Sequence, residues 1–313
     1  MNFFPLFNEV ATSVAFVSLA EAFKRRAESN NGFVISEVSE AGTVNRLLLI
    51  NGLDANVLIL DGEQLQGAKQ NRTVNITILA GAGKKIEIPV SCVERGRWHR
   101  ESMHDFRKFD DSDMPSDLRS SKLKGVFGKI SPKSSAQEKP RYEFDQMEVW
   151  DKIYAKHRAA NVSSRTGSLT DIVGSDKFQK AKEVSLKLKL AENQTGIIAF
   201  RHGIFLGLDY ISEPKVFADN FVSLLRSYLL TDVEFIYPVY FQGGEVIDWL
   251  RVNLSQIPQK HFPGVDLGRN WMGESVILFS ALEHEGEIVH LTALPQFRRF
   301  SRRSEFDFGP NIH

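Results

Sequence analysis

From Val57 to Trp98, apolar and polar residues alternate in short runs. Val74, Ile76 and Ile78 alternate with Thr73, Asn75 and Thr77, while Ile86, Ile88, Val90 and Cys92 alternate with Glu87, Pro89, Ser91 and Val93. Period two gives each run one face for a core and one for other work. The intervening Ala80-Gly-Ala-Gly-Lys-Lys85 carries turn glycines, so the simplest expectation is an antiparallel hairpin of residues 70–78 and 86–94. Keeping both apolar sets on one face sets Ile76 near Ile88 and Arg72 near Cys92. Arg72 and Glu94 share the parity of the core residues, and diagonal neighbours roughly 7–8 Å apart are bridged by long side chains. The apolar face is therefore expected to end in Gln70, Arg72 and Glu94. A carboxylate that continues a core face needs a partner; the cluster reads either as a structural ion pair or as a ligand pocket at the sheet end.

Other strands are predicted at 33–38, 46–50, 57–60 and 233–241, and further hairpins around Arg201-His-Gly203 and Glu285-Gly286. Helical periodicity predicts an N-terminal helix with Val10, Val14, Val17 and Phe23 on its stripe. It also predicts a helix over 145–158 with Met147, Trp150, Ile153, Tyr154 and His157 inward. Further helices are expected at 176–191, from Pro214 to about Leu230, and at 246–257. The fold class is α+β: a β-rich part over 1–98 that carries the polar motif, a polar loop or lid over 99–144, and a mixed part over 145–313. The three form either separate units or one integrated domain. The middle segment is rich in His, Arg, Asp, Ser and Lys, and is expected to act as a lid or a passive linker, mobile in part.

Lys+Arg and Asp+Glu balance at 39 each, which weighs against a globally basic nucleic-acid binder. No apolar run approaches the roughly 18 residues that span a bilayer. The one cysteine, Cys92, rules out an intramolecular disulfide and suits a reducing compartment; with a poor signal peptide at the start, the expectation is cytoplasmic.

Chemistry is carried by few residues. The glycine turn at 80–85 lacks phosphate-loop spacing and does not open a helix. The histidines show no metal spacing with a convincing carboxylate. Asp61, Glu63, Glu94 and Asp209 are carboxylates beside apolar strands, and two of them facing one cleft could do acid–base work or hold a divalent cation. Arg97 and Trp98 together suit a phosphate and a base. The run Phe297-Arg-Arg-Phe-Ser-Arg-Arg303 reads as a solvated tail or a contact for an anionic partner.

Gly62-Glu-Gln-Leu-Gln-Gly-Ala-Lys-Gln-Asn-Arg72, followed by Ile88-Pro-Val-Ser-Cys-Val-Glu-Arg-Gly-Arg-Trp98, resembles the ARG and Rhodanese-Phosphatase-superfamily-associated Protein domain family. Trp150, the run Ser164–Leu169, Gly196-Ile-Ile-Ala, Leu206-Gly-Leu-Asp209 and Ile288-Val-His-Leu291 extend the resemblance over most of the chain. The resemblance implies association with ADP-ribosylglycohydrolases and phosphatases that process NAD-derived nucleotides. It raises the expectation of an ADP-ribose-like ligand and, as a partner, of an ADP-ribose-processing enzyme.

Two functions are therefore carried forward, beside a third reading in which the protein is structural and its polar cluster only a salt bridge. In one, the protein is a hydrolase or glycosidase on such a metabolite: Glu63 or Glu94 is the catalytic base or metal ligand, Gln70, Asn71 and Arg72 orient the substrate, Arg97 and Trp98 bind phosphate and base, and Asp209 joins the binding set. In the other, it is a non-catalytic module that senses the ligand or docks an enzyme that turns it over.

Overall fold

The structure is a computed structural model that describes residues 1–29, 32–39, 45–67, 69–96, 105–130, 142–240, 248, 251–252, 255–257 and 259–296. Sixteen strands are described: β1 (Asn2–Phe7), β2 (Phe16–Ser18), β3 (Val34–Glu37), β4 (Arg46–Ile50), β5 (Asn56–Ile59), β6 (Gln64–Gln66), β7 (Arg72–Val74), β8 (Ile78–Ala80), β9 (Lys85–Cys92), β10 (Arg107–Lys108), β11 (Gln194–Arg201), β12 (Ile204–Ile211), β13 (Lys260–Pro263), β14 (Arg269–Glu274), β15 (Ile277–His284) and β16 (Glu287–Pro295). The helices are α1 (Leu19–Ser29), α2 (Ser116–Ile130), α3 (Gln146–Ala159), α4 (Asp176–Lys187) and α5 (Pro214–Leu229). The class is α+β.

The strands form three sheets. Seven antiparallel strands run in the order β1-β11-β12-β16-β15-β14-β13, and six in the order β10-β6-β7-β9-β4-β3, with β2-β5-β8 as a small third sheet. In the six-stranded sheet, Phe106 N–H, just before β10, donates to Ile35 O of β3 at 2.9 Å. The two edges of that sheet therefore touch, which leaves less backbone unpaired at its rims. One hydrophobic core runs from Val14 to Leu294 and takes side chains from all three sheets. β1 belongs to the sheet of the C-terminal half, so the β-rich part is tied to the rest through its first residues.

The predicted hairpin forms over half its length. Arg72 pairs with Cys92, Thr73 with Ser91 and Val74 with Val90, in the expected register. Beyond Asn75 the chain bends, and β8 leaves to pair with β5. Ile86 and Ile88 then lie opposite Leu49 and Leu47 of β4, so Ile76 and Ile88 are not cross-strand partners. Period two fixed the face of each run but not which neighbour satisfies it, because both candidate partners are apolar.

Four further expectations are corrected. The N-terminal helix starts at Leu19, after β1 and β2, and Val10 is 80 % exposed. Residues 116–130, read as part of a polar loop or lid, form α2, whose Leu118, Leu123 and Val126 enter the core while Asp117, Arg119 and Lys122 are buried as well. Ordering α2 needs buried partners for its charges, which residue-by-residue polarity does not reveal. The α3 stripe is rotated: Val149, Ile153, Lys156 and His157 are buried, while Met147 and Tyr154 are exposed. Residues 233–235 form a 3-10 turn rather than a strand. The helix expected at 246–257 and the basic run 297–303 fall wholly or largely outside the described residues.

Candidate ligand site

Of the residues expected to share one cleft, the described ones are distributed over four buried clusters, and none of them lines the open cavity described below. Glu63 is fully buried and ion-paired to Lys108, whose Nζ also donates to Asn220 Oδ1 at 2.8 Å. Burial pushes the Glu63 carboxyl up, while Glu63 and Asp113 more than offset the effect of burial on Lys108 and hold it charged. Gln70, Arg72 and Cys92 do meet at the end of the apolar face: Arg72 Nη1 donates to Gln70 O at 3.1 Å and Oε1 at 3.3 Å, and Cys92 Sγ lies 2.8 Å from the same Oε1. The carboxylate facing Arg72 is Glu37, 3.6 Å away, in place of the expected Glu94. Glu37 arrives from β3, two strands away from β9, which a hairpin-only reading does not contain. Burial pushes the Cys92 thiol up to about 12, so it stays a protonated, inert thiol.

Glu94 is buried and accepts from Asn71 N–H at 3.1 Å. Asn71 Nδ2 in turn reaches Ser168 Oγ at 3.1 Å and Thr170 Oγ1 at 3.4 Å. Asp209 lies in another cluster, where Arg119 of α2 spans two carboxylates. Arg119 Nη1 and Nη2 each lie 2.8 Å from an Asp209 oxygen, and Nε and Nη2 lie 3.2 and 3.1 Å from Asp61. Two of the four carboxylates, Asp61 and Asp209, thus converge on a guanidinium. Burial alone would favour protonation, yet Arg119 holds Asp209 well below the usual carboxylate range and lowers Asp61. Gly62, at φ 88°, makes room: a Cβ there would sit 2.8 Å from Arg119 Cδ. No group of three or more metal-ligand side chains occurs among the described residues. Arg97 and Trp98 lie outside the described residues.

An open cavity lies elsewhere, with a volume of about 870 Å³. It lies along the second half of α3 and the loop that follows, and Arg95 of the motif forms part of its wall. Asp145 caps α3 by accepting from the N–H groups of Met147 and Glu148, which fixes where the helix begins. The 3.6-residue period then carries Trp150, Tyr154, His157 and Arg158 to the cavity. The loop is strapped to the motif: Gly96 N–H donates to Thr166 O at 2.6 Å, and Leu169 N–H to Val93 O at 2.8 Å.

The walls differ in chemistry. Trp150 and Tyr154 supply aromatic surface, and the Arg95 guanidinium lies 5.6 Å from the centre of the Trp150 ring. The Trp150 indole N–H is enclosed without a hydrogen-bond partner. Neither Arg95 nor Arg158 has a carboxylate partner among the described residues. Asp151 is the carboxylate on the lining. His157 Nε2 lies 2.9 Å from Ser168 O, and burial pushes its imidazole pKa down, towards the neutral ring. A carbonyl oxygen only accepts, so Nε2 carries the proton and Nδ1 keeps its lone pair.

Fold and site together define an α+β protein in which Asp61, Glu63, Glu94 and Asp209 are buried in ion pairs and hydrogen bonds, while two guanidinia without a carboxylate partner among the described residues meet aromatic rings at an open cavity. The chain belongs to the ARG and Rhodanese-Phosphatase-superfamily-associated Protein domain family, whose match covers residues 1–294. No curated protein and no solved structure matches it. No helix among the described residues is long and apolar enough to cross a membrane.

Proposed function

We propose that this protein binds a phosphorylated, ring-bearing metabolite of the ADP-ribose or NAD-derived class in the cavity between α3, Arg95 and the loop at 161–167. The carrying observation is the pair of guanidinia without a carboxylate partner among the described residues, Arg95 and Arg158, facing a cavity that also holds Trp150 and Tyr154. Guanidinium forks match phosphate oxygens, and indole and phenol faces stack bases. The family description names an association with ARG and rhodanese-phosphatase proteins and no ligand; the ligand class, and an ADP-ribose-processing enzyme as partner, are what the sequence resemblance implies. The expected catalytic residues Glu63 and Glu94 are off the cavity, which favours a sensing or docking module over a carboxylate-driven hydrolase. A cytoplasmic setting is part of the proposal, resting on the single, unreactive Cys92.

Thermal unfolding with ADP-ribose, NAD and AMP tests the reading. A ligand at 100 times its dissociation constant adds about 2.7 kcal/mol of stability. The shift should appear in the wild type and fall away in Tyr154→Ala and Arg158→Ala, whose side chains are exposed. Unchanged unfolding with every nucleotide sinks the reading.

A hydrolytic variant of this function is favoured by one observation, the neutral, oriented His157 on the cavity wall. An imidazole held by one nitrogen can take a proton from water at the other. Product formation from ADP-ribose or NAD that disappears in His157→Gln would establish it; binding without turnover would leave the sensor.

A further inference from the structure

We infer that residues 163–167, Ser-Ser-Arg-Thr-Gly, form the phosphate-binding loop of this cavity and that the ligand enters with its phosphate towards that loop. This deepens the proposed function and rests on the cavity assigned there. The N–H groups of Ser163, Ser164, Arg165, Thr166 and Gly167 make no hydrogen bond within the described residues. Ser163, Ser164 and Gly167 line the cavity. Consecutive unused N–H groups in a tight loop make a concave cradle for an anion, and Arg95 and Arg158 share the cavity lining with no carboxylate partner among the described residues.

The loop is held in shape from outside. Asn71 Nδ2 binds Ser168 Oγ, His157 Nε2 donates to Ser168 O, and Gly96 and Leu169 tie the loop to the motif strand. The family motif therefore bears on the cavity through Asn71, Val93, Arg95 and Gly96. The Ser164 hydroxyl is already engaged: it donates to Asp171 and accepts from Ser168 N–H at 3.2 Å. Ser164 thus contributes its backbone N–H and not its side chain. The loop side offers backbone N–H groups and the α3 side offers Tyr154 and Trp150, so the phosphate is assigned to the loop and the ring to those side chains.

The experiment is a titration of the isotope-labelled full chain with inorganic pyrophosphate and, separately, with adenosine, followed by amide resonances. Pyrophosphate should shift the amides of 163–167 in a saturable way, and adenosine should act on Trp150 and Tyr154. Gly167 adopts φ 66°, and a Cβ there would meet only an ordinary contact at 3.6 Å from Arg95. Gly167→Ala therefore distorts the loop more than it crowds it, and should weaken pyrophosphate about tenfold, the worth of one charge-assisted hydrogen bond. Arg158→Ala, at an exposed side chain, gives a second variant if Gly167→Ala does not fold, and should weaken pyrophosphate similarly. Pyrophosphate shifts that avoid 163–167, or an unchanged affinity in the variants, overturn the loop assignment. Adenosine binding without loop shifts removes the loop and leaves the cavity reading. Loop shifts with no tighter binding of any nucleotide keep the loop and remove the nucleotide reading.

Discussion

Arg119 and Arg158 carry the same side chain in opposite settings. Arg119 is fully buried, and its guanidinium is shared between Asp61, Asp209 and the Thr292 hydroxyl. Arg158 stands on the rim of a cavity with no carboxylate partner among the described residues. A buried charge with all its partners in place has nothing left to offer a ligand, whereas an exposed, unpaired one costs the fold little and is free to act. Residues that look most chemical in a sequence can therefore be the least available, and the difference is decided by which partners the fold supplies.

The largest test of this contrast is Arg119→Met. It leaves Asp61 and Asp209 buried without their cation, and should cost on the order of 3–5 kcal/mol in denaturant unfolding. The acid limb should change as well. Both carboxyls sit below the ordinary aspartate value of 3.8 in the folded state. Their stabilisation is thus complete above that value and is lost as pH falls through the folded values. In Arg119→Met this dependence should reverse or vanish. A variant as stable as the wild type across that range would show that the bridge is not what holds α2 to the two sheets.

Lys122 sharpens the comparison from the other side. It is buried, donates to Val74 O, and burial lowers its pKa from 10.5 to about 7. Between those values the unfolded chain binds more protons, so this group makes stability rise from pH 7 towards pH 10. Lys122→Met should raise stability at pH 7 by roughly 1–4 kcal/mol, as replacement of buried charge by an apolar side chain often does. Its pH dependence over that window should flatten. A loss of stability would assign Lys122 a partner stronger than the Val74 carbonyl.

Asn71→Ala removes the amide that ties the motif to Ser168 and Thr170. It should cost about 1–3 kcal/mol by leaving buried hydroxyls less satisfied, and should weaken nucleotide binding although Asn71 does not line the cavity. Tyr154→Ala and Arg158→Ala give the smallest stability effect, within about 0.5 kcal/mol. They should still lower ligand affinity more than Asn71→Ala does. Equal losses of affinity and stability in all three would erase the distinction between core and cavity.

Much of the fold was legible. Strand positions, the α5 start at Pro214, the Arg72–Cys92 register and the polar end of the apolar face follow from periodicity and turn chemistry. The exchange of partners after Asn75 was not, because Ile78 and Ile86 suit any apolar neighbour. Of the described motif residues only Arg95 lines the cavity proposed as the site, while Gln70, Asn71 and Arg72 before it are buried. Arg119 and Lys122 were missed because α2 lies in a stretch whose polarity imitates a loop. Its Leu118, Leu123 and Val126 spacing was the available signal. Tyr154 and His157 were noted as helix-face residues, but a helix period gives a face and not what covers it.

The placement of β1 also bears on how the chain reaches its native state. Asn2 lies opposite Phe200, so this strand finds its partner only after most of the chain exists. At roughly 5–20 residues per second, translation leaves an interval of about 10–40 s between the two strands. During that time Phe3, Phe4, Leu6 and Phe7 have no sheet to join. Apart from the β12–β16 junction, the other members of the seven-stranded sheet pair with consecutive strands, and β1 closes the β11 edge. Its docking is the step most exposed to competition, from a chaperone or from another nascent copy offering the same open edge of β11.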